Sequence, residues 1–114
     1  MNTLELDHQL NTMIIQGRSG DAFLRFYVED VVAQENDEPE RIGRAAWMHA
    51  RQEMEKSIKK FDARVLAHAA NGDTSFSEWE YNVELEGMGT IRIVQVAVRR
   101  WKDGKIVRER FYHK

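Results

Sequence analysis

Apolar residues recur at helical spacing over residues 4–16, where Leu6, Leu10, Met13 and Ile14 share one side and Gly17 supplies a stop. This predicts an amphipathic helix. A second, short helix is expected from Ser19, whose hydroxyl would cap the first turn while Asp21 complements its positive end, and Phe23, Phe26 and Tyr27 share its buried side. Residues 31–35 read as a strand, and the turn formers Asn36, Asp37 and Pro39 as the loop that follows it. Over residues 43–60, Trp47, Ala50, Met54 and Ile58, and then Phe61, form one stripe, with Arg51, Glu53, Glu55, Lys56 and Lys59 mostly on the other sides. The stripe predicts a third and longest helix.

From Phe61 onward the period changes to 2 and stays there. A strand over 61–70 is followed by a strong hairpin turn at Asn71, Gly72 and Asp73. Trp79, Tyr81, Val83 and Leu85 then alternate with Glu78, Glu80, Asn82, Glu84 and Glu86, which makes one side aromatic and the other acidic. Further turns at 86–89 and 102–105 separate strands over 90–101 and 106–113. Consecutive hairpins make antiparallel neighbours, so the expected class is α+β, with three N-terminal helices packed on one face of a curved, mostly antiparallel sheet.

Composition narrows this picture. The chain has 114 residues, 42% apolar and 32% charged, with no internal repeat, which is enough for one core and one domain spanning residues 1–114. A net charge of −2 supplies no positive field for a phosphate backbone or anionic lipid, so neither nucleic acid nor membrane is an expected partner. Without cysteine there is no disulfide, thiolate metal site or thiol nucleophile. The acidic amino terminus lacks the apolar core of a signal peptide, and a cytoplasmic location is the expectation.

Three segments carry a family resemblance: Phe26-Tyr27 with Asp30-Val31-Val32, Gly43-Arg44 opening the long helix, and the run from Arg100 to Val107. Together they resemble SnoaL-like proteins of the nuclear-transport-factor-2-like superfamily, which includes ketosteroid isomerase and polyketide cyclases. The resemblance implies a cystatin-like cone with a pocket between sheet and helices, and commonly a homodimer through the outer sheet face. By the same resemblance the isomerase's general base falls on Glu35. Its two oxyanion-stabilising positions fall on Met13 and Ala97, neither of which can donate a hydrogen bond. An enolate without those donors loses a large electrostatic stabilisation, so isomerisation in that form is excluded.

Strand parity then assembles a candidate site. Ile91, Ile93, Gln95, Ala97, Arg99 and Trp101 share one side of their strand. A type I turn with a bulge at Gly104 would place Val107, Glu109, Phe111 and His113 on that same side, with Glu109 a diagonal neighbour of Arg99. A two-residue Asp103-Gly104 turn would instead pair Lys102 with Lys105 and turn Arg108, Arg110 and Tyr112 inward. The bulged form is favoured because it sets Val107 and Phe111 opposite the helices. The resemblance places the Ala97 side toward the cavity. Gln95, Arg99 and His113 would then be ligand-binding groups among Trp79, Tyr81, Trp101 and Phe111, with Glu35 and Glu109 as catalytic candidates.

No metal-ligand spacing links His49, His68, Glu53 and Asp62, and no phosphate-binding glycine loop follows a strand, so neither metal nor other cofactor is implied. On the opposite side of the sheet, Val94, Val96, Val98 and Tyr112 form an apolar band that a second copy of the chain could cover. Two functions stay open. One is a binding module for a small hydrophobic ligand bearing a carbonyl or carboxylate. The other is an acid/base enzyme of isomerase, dehydratase or cyclase type, with Glu35 as base and Arg99, fixed by Glu109, stabilising an anion.

Overall fold

A computed structural model describes residues 2–114. Its elements run α1 (Thr3–Ile15), α2 (Ser19–Phe26), β1 (Tyr27–Glu35), β2 (Arg41–Ile42), α3 (Arg44–Glu55), β3 (Ile58–Asn71), β4 (Thr74–Leu85), β5 (Gly89–Lys102) and β6 (Lys105–His113). The six strands form one sheet in the order β2-β1-β6-β5-β4-β3. Every neighbouring pair is antiparallel except β1 and β6, which run parallel because the helix and the long hairpins intervene between them. The three helices pack on the inner face, so the α+β cone expected from the sequence is the architecture found.

Helix α1 is fixed at both ends by its own sequence. The Asn2 side chain accepts from the Glu5 N–H at 2.9 Å, and at the other end Gly17, with φ of 77°, lets its N–H and that of Arg18 reach the carbonyls of Ile14 and Met13. Helix α2 differs from expectation at its start. Ser19 lies inside the helix, Arg18 holds the cap position, and no side chain caps the turn. Tyr27 already belongs to β1, which begins four residues before the predicted strand.

The largest departure is the end of α3. Helical periodicity carries the predicted element to residue 60, yet the helix stops at Glu55, and Ile58 pairs with Leu85 while Phe61 pairs with Val83. Strand β4 offers a full ladder of backbone partners over this stretch, and those inter-strand hydrogen bonds outweigh the helical preference of five residues. Consequently Trp47 is the single buried residue of α3, and Met54, expected on the buried stripe, is exposed.

The core lies between the helices and the inner sheet face. Leu10, Met13, Phe23, Phe26 and Trp47 meet Val31, Trp79, Val83, Ala97, Ile106 and Phe111 there. On the outer face the acidic side of β4 is neutralised across the sheet, Glu80 accepting from Arg64 at 3.0 Å and from Arg92 at 2.6 Å. Led by the Arg92 hydrogen bond, these contacts hold its carboxyl below the usual range.

The β5–β6 hairpin corrects the favoured register. Asp103 and Gly104 both have positive φ, 52° and 78°, and Lys102 pairs with Lys105, which is the two-residue turn. Parity nonetheless recovers, because Trp101 pairs with Ile106 and Arg100 with Arg108, leaving Val107 as an inserted residue. Ile106, fully buried, therefore takes the inward place expected of Val107, and Arg108 and Arg110 stay on the outer side. Glu109 comes to lie directly opposite Arg99 rather than diagonally.

Candidate functional site

Arg99 is the centre of the inner polar region, with a side chain almost wholly out of water. Its Nε donates to Glu109 Oε2 at 2.7 Å, and its Nη1 donates to Asp7 Oδ1 at 2.7 Å and to Asn11 Oδ1 at 2.6 Å. Glu109 also accepts from the Tyr27 hydroxyl, 2.8 Å from each carboxylate oxygen. Asp7 accepts from the hydroxyls of Ser75 and Ser77, and Ser75 in turn accepts from Trp101 Nε1 at 2.9 Å. One guanidinium thus bridges a carboxylate from α1 and a carboxylate from β6.

Titration follows from these contacts. Burial opposes the charge on Asp7, but the Arg99 cation and the serine hydroxyls outweigh it and hold the carboxyl below its ordinary value. Burial likewise opposes the charge on Arg99, and Glu109, Tyr27 and Asp7 more than restore it. The Tyr27 phenol is pushed far upward by burial and by the neighbouring Glu109 charge, so it stays a donor. Tyr81 is raised mainly by burial.

Arg99 and Glu109 border a small inner cavity with Tyr27, Tyr81, Phe111, Trp47 and Arg51. Its free volume is about 10 Å³, about the room for one water. Trp47 seals one side, 5.7 Å from the Phe111 ring and 6.1 Å from that of Phe23. Of the residues singled out from the sequence, Arg99, Glu109, Tyr81 and Phe111 thus meet at one cavity.

The others lie elsewhere. Trp79 is buried in the core, stacked on Tyr81 with centroids 5.4 Å apart, and Trp101 packs edge-on to Phe26 beneath Ser75. Gln95 donates to the Tyr81 hydroxyl at 3.3 Å from the cavity's far side. Glu35 and His113 pair at the rim, with Nε2 and Oε2 3.2 Å apart and 41% of the Glu35 side chain exposed. The Lys114 carbonyl beside its Nδ1, and then Glu35, raise the His113 pKa despite partial burial. Met13 and Ala97 are ordinary core residues.

Sequence reading missed Asp7, Asn11, Tyr27, Ser75 and Ser77, and a signal existed for most of them. Asp7 and Asn11 stand at helical spacing with Leu10 and Ile14, so they fall on the buried side. Ser75 and Ser77 continue backward the alternation of Trp79, Tyr81 and Val83. Nothing in the pattern showed that these groups converge on Arg99.

The sequence of residues 9–109 matches the model of the SnoaL-like domain. The chain belongs to the SnoaL-like family. SnoaL-like relatives of known structure share its fold throughout. A candidate SnoaL-like polyketide cyclase from Mesorhizobium loti is 21% identical with a TM-score of 0.83, the match covering 98% of this chain and 99% of that one. A nuclear-transport-factor-2-like protein of unknown function from Burkholderia pseudomallei is 12% identical with a TM-score of 0.86, covering 100% and 92%. An epoxide hydrolase from M. tuberculosis is 17% identical with a TM-score of 0.79, covering 98% and 84%. No curated protein matches the sequence. Among the described residues, no helix of this SnoaL-like chain is long and apolar enough to cross a membrane.

Proposed function

We propose that this SnoaL-like domain binds a small, largely hydrophobic ligand carrying a carbonyl or carboxylate group, and does so without catalysis. One observation carries the reading: the charged groups at the cavity are already committed to one another. Arg99 and Glu109 are joined at 2.7 Å and held by Asp7, Asn11 and Tyr27. Glu35, the carboxylate offered as a base, pairs with His113 at the rim and is not among the residues around the inner cavity. A general base must come within hydrogen-bond reach of the proton it removes, and the groups bordering the cavity offer no free one.

Aromatic walls with a few polar groups suit ligand binding. Thermal-shift screening of hydrophobic ketones and carboxylates tests the reading directly. Stabilisers should appear, and their effect should persist in Glu35→Gln. Turnover of any of these compounds that disappears in Glu35→Gln would replace binding by acid/base chemistry.

The same proposal includes a homodimer through the outer sheet face. Phe76, Val94 and Tyr112 are exposed there, and Val96 and Val98 are half-buried between them, with no helix on that side. An apolar band of this kind is stabilised by burial against a second copy.

A further inference from the structure

Resting on the binding reading above, the surroundings of Trp47 narrow both the entry route and the ligand. Trp47 borders two spaces. One is the inner cavity with Arg51, Tyr81, Arg99 and Glu109, and the other is an open groove of about 300 Å³ along the end of β1 and the loop after it. Although the residue is only 6% exposed, its Nε1 is buried without a hydrogen-bond partner among the described residues. An unpaired buried N–H opposes the closed position. The remainder of α3 is poorly anchored, since no other residue of the helix is buried and its start at Gly43 lacks a side-chain cap. Rotating the indole outward would break no hydrogen bond and would join the two spaces.

We propose that Trp47 is a movable partition of the binding site and that the ligand is an uncharged carbonyl compound rather than a carboxylate. Charge decides between the two. The groove carries Glu35, Glu38 and Glu40 against Arg41, so an anion approaches through a run of like charge. Further in, Arg99 and Arg51 balance Asp7 and Glu109, and a carboxylate would add an unmatched charge in a site shielded from water.

A carbonyl oxygen needs donors alone, and two are available. Arg51 has one ion-pair partner, the half-exposed Glu55 at 3.4 Å. The Tyr81 hydroxyl accepts from Gln95 but, among the described residues, donates to none.

Titrations of the whole chain with acetophenone and with benzoate, which share ring and size, test this by ligand-observed NMR. Acetophenone should bind at least tenfold more tightly than benzoate, and Arg51→Met or Tyr81→Phe should each weaken acetophenone severalfold or more. Trp47→Ala should speed acetophenone association. In wild-type protein carrying 5-fluorotryptophan, the Trp47 fluorine resonance should shift on titration, a readout independent of whether that variant folds. Benzoate binding as tightly as acetophenone overturns the carbonyl assignment and leaves the binding reading standing, and an unmoved Trp47 resonance at saturation overturns the partition. Failure of both probes to bind wild type and every folded variant overturns the inference together with the binding reading.

Discussion

Arg99 shows how one side chain can be both readable and misread. Its inward position follows from strand parity, and a buried guanidinium requires partners, so Glu109 could be named from the sequence. Asp7 could not, because it lies 92 positions away on another element. Arg99→Met would leave two carboxylates buried together without their cation. It should lower stability by about 3–5 kcal/mol, read as a fall in the urea midpoint.

Asp7 also sets a pH dependence. Its folded-state pKa lies below the unfolded value of about 3.9, so the unfolded chain takes up the proton first as pH falls. The stabilisation is complete above that value and is lost below it, as pH falls through the folded-state pKa. Urea midpoints measured from pH 6 to pH 3 should decline, and less steeply in Asp7→Asn than in wild type.

At the level of elements, the β5–β6 hairpin joins a tight turn to an inserted residue, and both are needed. The two-residue turn alone would bring Arg108 and Arg110 inward, and Val107, by adding one residue, returns Glu109 and Phe111 to the core. Deleting Val107 should therefore abolish cooperative thermal unfolding in near-UV circular dichroism, because it exchanges the core side of β6 for its charged side. Gly104→Ala tests the turn separately. At φ of 78° an added Cβ is strained, and the cost should be about 1–2 kcal/mol in urea titrations, with the fold retained. The boundary of α3 was unreadable for a related reason. Residues 56–60 satisfy a helical stripe and a strand equally, and only the ladder offered by β4 selects the strand.

For the whole molecule, the two faces of the sheet have different fates. The inner face is sealed by α1, α2 and α3, whereas the outer face leaves Val94, Val96, Val98 and Tyr112 without a helical cover. If a second copy covers that band, Val96→Glu should convert a dimer into a monomer in sedimentation velocity while leaving the circular dichroism spectrum unchanged. An unchanged mass would remove the outer-face interface.

Period and turn chemistry, which act over a few residues, were enough by themselves to determine the three helices, the change from helix to sheet, the hairpins and the parity that sends Arg99 inward. Only the folded chain decided that Asp7, Asn11, Tyr27, Ser75 and Ser77 converge on that guanidinium, that Val107 corrects the register, and that Glu35 stays at the rim. These depend on contacts between distant segments, whose formation is governed by packing and by the cost of leaving a buried polar group unpaired.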